Sequence, residues 1–201
     1  MIITPLAIGV ITSIVATYGS DAVAGFGIAT RIESFAIIVI MALASVVGPF
    51  IGQNWGAGKF DRIKSGIKFS YQLSLIWGLA IFLLLAILGN TIGSIFSDNP
   101  GVVSVTGFYL SIVPIGYGLY GILVIATTAM SVLKKPIDAA ILITIQTFVL
   151  CIPLAYVGSF LIGLRGTFLA LPISYLVSAI IAKYTLNQIV ISRECTTKNS
   201  G

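Results

Sequence analysis

Long apolar stretches separated by short polar breaks dominate the chain. A helix needs about 20 mostly apolar residues to span the hydrocarbon core of a membrane, and about 17 suffice. Six stretches meet this length, over residues 2–18, 21–53, 67–89, 102–132, 137–162 and 166–191, and a polar tail follows over residues 193–201. The breaks, such as "YGSDAVAG", "SDNPG" and "KKPID", contain the residues that end helices and form turns. The pattern predicts an all-α integral membrane protein with six transmembrane helices.

Composition supports this interpretation and excludes several functions. Hydrophobic residues make up 58% of the 201 residues and charged residues 8%, whereas a soluble domain has about 25% charged residues. The chain has no histidine, which excludes Ser-His and Cys-His catalysis and the His-based zinc motifs. Its two cysteines, Cys151 and Cys195, form no disulfide or metal pattern. We therefore expect no enzyme activity, no metal site and no cofactor.

The basic residues predict how the chain is oriented. They follow the even-numbered spans: Lys59, Arg62, Lys64 and Lys68 after the second, Lys134 and Lys135 after the fourth, Arg193 and Lys198 after the sixth. Basic loops stay on the cytoplasmic side, so we expect a multi-pass protein of the plasma or inner membrane with both termini cytoplasmic. The net charge of +5 is small, and the basic residues lie in short clusters. Both features argue against a nucleic-acid partner.

Two charged residues, Arg31 and Glu33, lie inside the second predicted span. If the helix begins near Asp21, both lie about 15–18 Å from its outer end, where an ionisable group normally faces a cavity or a partner. If residues 35–52 form the span, both lie at the outer interface instead. Side chains two positions apart point to different faces of a helix, so each needs a partner elsewhere.

Three uncharged residues are further candidates for a substrate or ion pathway. Gln146 lies midway through the fifth span and is expected either to bridge two helices or to face a water-filled cavity. Tyr117 and Tyr120 are three residues apart in the fourth span and share a helix face. They could line a site for flat cationic molecules, or they could pack in the core.

The segment "GQNWGAG" over residues 52–58 follows the second apolar stretch. Pro49 and Gly52 are expected to end the second helix, and Gly56 and Gly58 to let the chain turn. Gln53 and Asn54 can bond the last backbone groups of the helix. We interpret the segment as a structural anchor rather than a binding loop.

From Gly27 to Ile63 the sequence resembles the multidrug and toxic compound extrusion (MATE) transporters. The residues that carry the resemblance are Arg31, Glu33, Pro49, Gly52, Gln53, Asn54, Gly56, Ala57, Gly58, Asp61 and Arg62. The resemblance implies a fold of twelve helices in two six-helix lobes, of which this chain would be the second. It therefore predicts that an N-terminal six-helix lobe is missing as a partner, and that the chain is truncated at its N-terminus.

The resemblance further implies antiport, in which inward flow of Na⁺ or H⁺ drives the export of amphipathic, often cationic, drug-like compounds across the bilayer. One subgroup of the family uses acids on its seventh and tenth helices. The matching spans here, 2–18 and 102–132, contain no Asp or Glu, which leaves Glu33 as the candidate acid.

Two alternatives are open. A related flippase for lipid-linked oligosaccharides would need a basic cleft, for which the spans offer Arg31 and Lys183. A non-transporting membrane half-protein would instead pair with another lobe.

Overall fold

The computed structural model describes the backbone of residues 3–199 and the side chains of residues 5–192. Within that range the chain is helical and contains no β-strand. The helices are α1 (Ile3–Ala16), α2 (Ser20–Gly56), α3 (Phe60–Phe96), α4 (Pro100–Ile112), α5 (Tyr117–Val132), α6 (Pro136–Thr144), α7 (Ile152–Ile162) and α8 (Leu164–Asn199). A 3₁₀ segment (Val113–Gly116) joins α4 to α5, and a π-helical segment (Ile145–Cys151) joins α6 to α7.

These elements form six apolar helical units. Five are long and apolar enough to span a bilayer: Ser20–Gly56, Phe60–Phe96, Pro100–Val132, Pro136–Ile162 and Leu164–Ser192, all counted within the described residues. The sixth is the shorter apolar helix Pro5–Ala16. The all-α membrane fold predicted from the apolar pattern is confirmed.

The crossing made by α4, the 3₁₀ segment and α5 lies at the centre of the bundle. It packs against α2, α3 and α8, and small residues set the closest approaches. A Cβ built at Gly78 of α3 would collide with the backbone of Gly118 in α5, 2.5 Å from its Cα. Ser74 Oγ, one turn before Gly78, donates a hydrogen bond to the Gly118 carbonyl (3.0 Å). Close contact between small residues is the usual way that membrane helices gain packing energy.

Two apolar clusters fill opposite ends of the bundle. One joins the last third of α2, the first third of α3, α5 and the second half of α8, and is centred on Ile51, Ile63 and Met130. The other joins α1, the first half of α2, α4 and the first half of α8, and contains Phe26, Tyr109 and Phe168 among others. We call the end that carries Lys59 and Lys134 the basic end.

The structure corrects the expected end of the second helix. The α2 helix runs through Pro49 and Gly52 and ends at Gly56. The chain turns only at Gly58. Gly58 has a positive φ of 67°, and its N–H bonds the Trp55 carbonyl. Asn54 fulfils its expected role, since its Nδ2 donates to the Phe50 carbonyl (2.8 Å).

The remaining motif residues also have structural positions. Asp61 lies in the first turn of α3, where an acid complements the helix dipole, and Arg62 and Gln53 are exposed. The Lys134 ammonium lies 5.7 Å from the centroid of the Trp55 ring, which ties the α2–α3 turn to the α5–α6 turn. At the other end of the chain, the α8 helix continues into the predicted polar tail as far as Asn199; residues 200 and 201 lie outside the described residues.

Candidate functional site

Glu33 lies on the face of α2 that packs into the bundle. Phe26, Ala29, Ala36 and Ile40 lie on the same helical stripe and are all buried, because spacings of three, four and seven residues bring side chains to one face. Glu33 itself is partly buried. It lies five residues from the middle of the 37-residue helix, or about 8 Å along the axis. The structure therefore places this acid well inside a long apolar helix, on its buried face.

The partner of Glu33 is a tyrosine from the central crossing. Tyr109 of α4 is 1% exposed, and its hydroxyl donates a hydrogen bond of 2.5 Å to Glu33 Oε2. The small side chains of Ala29 and Ala36 flank Glu33 on α2 and permit the close approach of α4. A hydrogen bond to an ionised acceptor is short and strong, so this contact fixes the orientation of the carboxylate.

Aromatic rings surround this pair. Phe26 and Phe168 stack with their ring centroids 6.0 Å apart, and Tyr109 meets Phe168 edge-on at 5.0 Å. Tyr120 packs on Tyr175, with their ring centroids 5.1 Å apart. Glu33 is thus held by the Tyr109 phenol, which itself packs among aromatic rings.

Two departures from regular helix meet next to these rings. A Cβ on Gly116, the last residue of the 3₁₀ segment, would lie 2.8 Å from Tyr175 Cδ2 and 2.9 Å from Pro172 Cα. Pro172 in turn interrupts the hydrogen bonding of α8. The tight contact therefore joins the 3₁₀ segment to the proline of α8, two places where regular α-helical hydrogen bonding is lost.

The other predicted pathway residues have different positions. Arg31 is exposed, and no ion pair joins it to Glu33 in the described part of the chain. Gln146 is partly buried in the π-helical segment and accepts a hydrogen bond of 3.2 Å from the neighbouring Thr147 hydroxyl, a local bond rather than a bridge between helices. Tyr117 is 1% exposed; Tyr120 is partly buried. Tyr117 and Tyr120 lie in the same central crossing as Tyr109, the partner of Glu33, whereas Arg31 lies on the exposed side of α2.

Sequence reasoning missed the residue that contacts Glu33 directly. Tyr109 is one of several aromatic residues in the fourth span and lies 76 positions from Glu33 in the sequence. Tyr175, Phe26 and Phe168 gave no signal, because an aromatic residue in an apolar span is most often part of the core. A search for hydroxyl side chains on the buried faces of the spans could have found Tyr109 and Tyr175.

A single carboxylate hydrogen-bonded to a tyrosine hydroxyl can bind only a small, singly charged cation. It can take up one proton or lie next to one monovalent cation, and its aromatic surroundings suit an apolar or cationic ligand. Residues 5–192 contain no group of three His, Cys, Asp or Glu side chains that could hold a metal ion.

Comparison with known proteins identifies the family. A family model described as MatE matches residues 1–157, which is more than half of the chain. The chain belongs to the MatE family. It is 36% identical over 199 residues to an FAD transporter of Shewanella oneidensis, covering 99% of this chain and 44% of that protein. It is 30% identical over 176 residues to the multidrug export protein MepA of Staphylococcus haemolyticus, covering 87% and 38%.

Solved structures share the fold of this chain. The MATE transporter VcmN of Vibrio cholerae, in its bent form, superposes with a TM-score of 0.92 at 23% identity, over 96% of this chain and 44% of that one. A MOP superfamily transporter from Pyrococcus furiosus gives a TM-score of 0.89 at 17% identity, also over 96% and 44%. The MatE chain described here thus spans less than half the length of the relatives it matches, as expected for one six-helix lobe.

Proposed function

We propose that this chain is the C-terminal lobe of a cation-coupled exporter of amphipathic compounds, with Glu33 as the acid that exchanges H⁺ or Na⁺. The observation that carries the proposal is the hydrogen bond from Tyr109 to Glu33 in the interior of a span. Among residues 5–192 the other acids lie at helix ends or in turns: Asp21, Asp61, Asp98 and Asp138. An acid within a membrane span is costly and usually functional.

The geometry suggests how a cation would be linked to movement of the lobe. Glu33 belongs to α2 and Tyr109 to α4, so the hydrogen bond between them joins two helices. Uptake of H⁺ or Na⁺ by the carboxylate changes the charge that Tyr109 faces and weakens this bond. The 3₁₀ segment that follows α4 and the Pro172 region of α8 are then the points where the helices can bend in response. Binding and bending would be linked through a bistable contact of this kind.

The substrate class rests on the environment of the acid. A negative carboxylate beside aromatic rings favours an amphipathic cation, and one relative, MepA, is a multidrug export protein. A flavin nucleotide is the second candidate, favoured by the 36% identity to an FAD transporter over nearly the whole chain.

The test is an efflux measurement with and without a partner lobe. The 201-residue chain is expressed in cells that lack their main drug exporters, either alone or together with the half of the Shewanella transporter that it does not cover. We expect ethidium efflux from the paired form, loss of that efflux when the ion gradient is collapsed, and none from the chain alone. Export of FAD into the medium distinguishes the second candidate.

Glu33→Gln supplies the decisive variant. The amide keeps the size and the acceptor oxygen of the side chain but removes the charge, so we expect transport to fall to the level of the chain alone. Asp98→Asn makes the same chemical change in an exposed turn and should leave transport unchanged. Full transport by Glu33→Gln would rule out its role as the coupling acid.

A further inference from the structure

A cavity of about 570 Å³ opens between α3 and α8 near the basic end, with Ile122 of α5 at its base. The site described above does not include it, since Glu33 lies in the other half of the bundle. The polar residues that line it are Lys64, Lys68, Gln72, Lys183, Asn187 and Tyr71. None of the described lining residues is an Asp or Glu, so the cavity has a net positive charge.

The positive groups lie on two helix faces that point at each other. On α3, Lys64, Lys68 and Gln72 are spaced by four residues and form one stripe. On α8, Lys183 and Asn187 are also four apart and face that stripe across the cavity. Lys68 and Lys183 can therefore approach one anion from opposite sides, and the two amides can donate further hydrogen bonds.

A buried hydroxyl provides an independent sign that a polar ligand binds here. Tyr71 lines the cavity and is 8% exposed, yet its hydroxyl has no hydrogen-bond partner among the described residues. Buried polar groups in folded proteins nearly always have a partner. An acceptor oxygen of a ligand in the cavity would supply one.

Apolar surface continues from the lysines along the bundle. Leu75 lies one turn beyond Tyr71 in the same cavity and is 43% exposed. Ile76 and Leu79 follow on α3 and are exposed as well. A ligand with an anionic head and a hydrocarbon tail can contact both the lysines and the apolar side chains. A free anion would contact only the lysines.

We propose that this cavity binds the phosphodiester headgroup of an anionic phospholipid, with its acyl chains along the exposed apolar side of α3. Basic pockets between membrane helices on the cytoplasmic side bind anionic headgroups, and the basic end is the one predicted to face the cytoplasm. Lys68 and Lys183 bind the phosphate, Tyr71 donates to one of its oxygens, and Gln72 and Asn187 bond the rest of the headgroup. The inference concerns lipid binding alone and does not depend on transport or on Glu33.

The experiment measures lipid binding to the purified full chain in detergent. Native mass spectrometry gives the Kd for phosphatidylglycerol and for phosphatidylcholine with the same acyl chains. We expect tighter binding of phosphatidylglycerol, and a loss of at least about tenfold in that affinity for the double variant Lys68→Gln, Lys183→Gln, since each lysine near an anionic headgroup contributes about a fivefold step. The double variant Lys59→Gln, Lys135→Gln removes the same charge at the same end but outside the cavity, and should bind as the unaltered chain does.

Tyr71→Phe tests the cavity without changing its charge. The variant removes a hydroxyl that has no protein partner, so the lipid-free chain should be at least as stable, while the thermal shift produced by phosphatidylglycerol should become smaller. Equal binding of the two lipids, or equal losses in the two double variants, would overturn the proposal. Displacement of phosphatidylglycerol by millimolar inorganic phosphate or FAD would assign the cavity to a soluble phosphate compound and overturn the lipid assignment.

Discussion

At the scale of the residue, Tyr109 and Tyr117 are both buried tyrosines that differ in the hydrogen bonding of their hydroxyl groups. Each is 1% exposed in the central crossing. The Tyr109 hydroxyl donates to Glu33, whereas the Tyr117 hydroxyl has no partner among the described residues. The two positions therefore form a natural pair for measuring what the Glu33 hydrogen bond contributes.

Replacing Tyr109 by Phe should destabilise the chain. The substitution removes one hydroxyl and leaves a partly buried carboxylate without its donor, which costs about 1–3 kcal/mol for a charged acceptor. Tyr117→Phe makes the same change where no bond is lost, so its free energy of unfolding should be unchanged or slightly higher. Equilibrium unfolding in mixed detergent micelles measures both, and equal losses for the two variants would show that the hydrogen bond contributes nothing.

The sequence allowed Glu33 to be found but not its surroundings. An acid in a long apolar stretch stands out, because burying a charge is expensive, and this reasoning needs no knowledge of the fold. Tyr109 and Tyr175 become special only through helix packing that brings distant segments together. The position of Glu33 along its helix likewise became known only with the start of α2 at Ser20.

At the level of the helix, glycine positions decide which elements can touch. Gly78 lies where α3 crosses α5 against Gly118, and backbone atoms occupy the place of any side chain. Gly27 lies inside α2 with no atom within 4 Å of the position its Cβ would take. The two glycines have the same helical conformation but opposite packing environments.

Gly78→Ala should therefore be harmful and Gly27→Ala should not. The added methyl group at residue 78 forces α3 and α5 apart, and overpacking of this kind costs about 1–3 kcal/mol or more. The methyl group at residue 27 meets empty space, and alanine is favoured over glycine in a helix by about 1 kcal/mol. Thermal unfolding of the purified variants separates the two effects; a stable Gly78→Ala chain would contradict the observed α3–α5 crossing.

The prolines show why helix ends are hard to predict. Four prolines lie within the predicted spans, and Pro49 was expected to help end the second one. Pro114 lies at the start of the 3₁₀ segment, and Pro153 lies just after the π-helical segment. Pro49 and Pro172 lie inside α-helices that continue past them. Proline removes one hydrogen bond in every case, and the packing of neighbouring helices decides whether the helix stops.

At the scale of the whole molecule, the bundle has a basic end and an opposite end that carries Asp21 and Asp98. At each end a side-chain contact joins two turns. Lys134 over the Trp55 ring joins the α2–α3 and α5–α6 turns at the basic end. At the opposite end, Asn99 Nδ2 donates to Asp21 Oδ1 (3.0 Å), which joins the α3–α4 turn to the start of α2. The positive residues on the even-numbered side, predicted from the sequence as a topology signal, are therefore close together in space.

This separation predicts the orientation of the lobe in a membrane. Basic segments resist transfer across the bilayer, so the end with Lys59 should face the cytoplasm and the end with Asp98 the outside. Both residues are exposed, and each can be replaced by Cys after Cys151 and Cys195 have been changed to Ser. A maleimide that cannot cross membranes should label Asp98→Cys in intact cells and Lys59→Cys only after the cells are opened.

Lys134→Cys should behave as Lys59→Cys does, because the two turns meet at one end of the bundle. The reverse pattern, or labelling of both ends in intact cells, would contradict the cytoplasmic assignment of the basic end, while a split between Lys59→Cys and Lys134→Cys would contradict the fold itself.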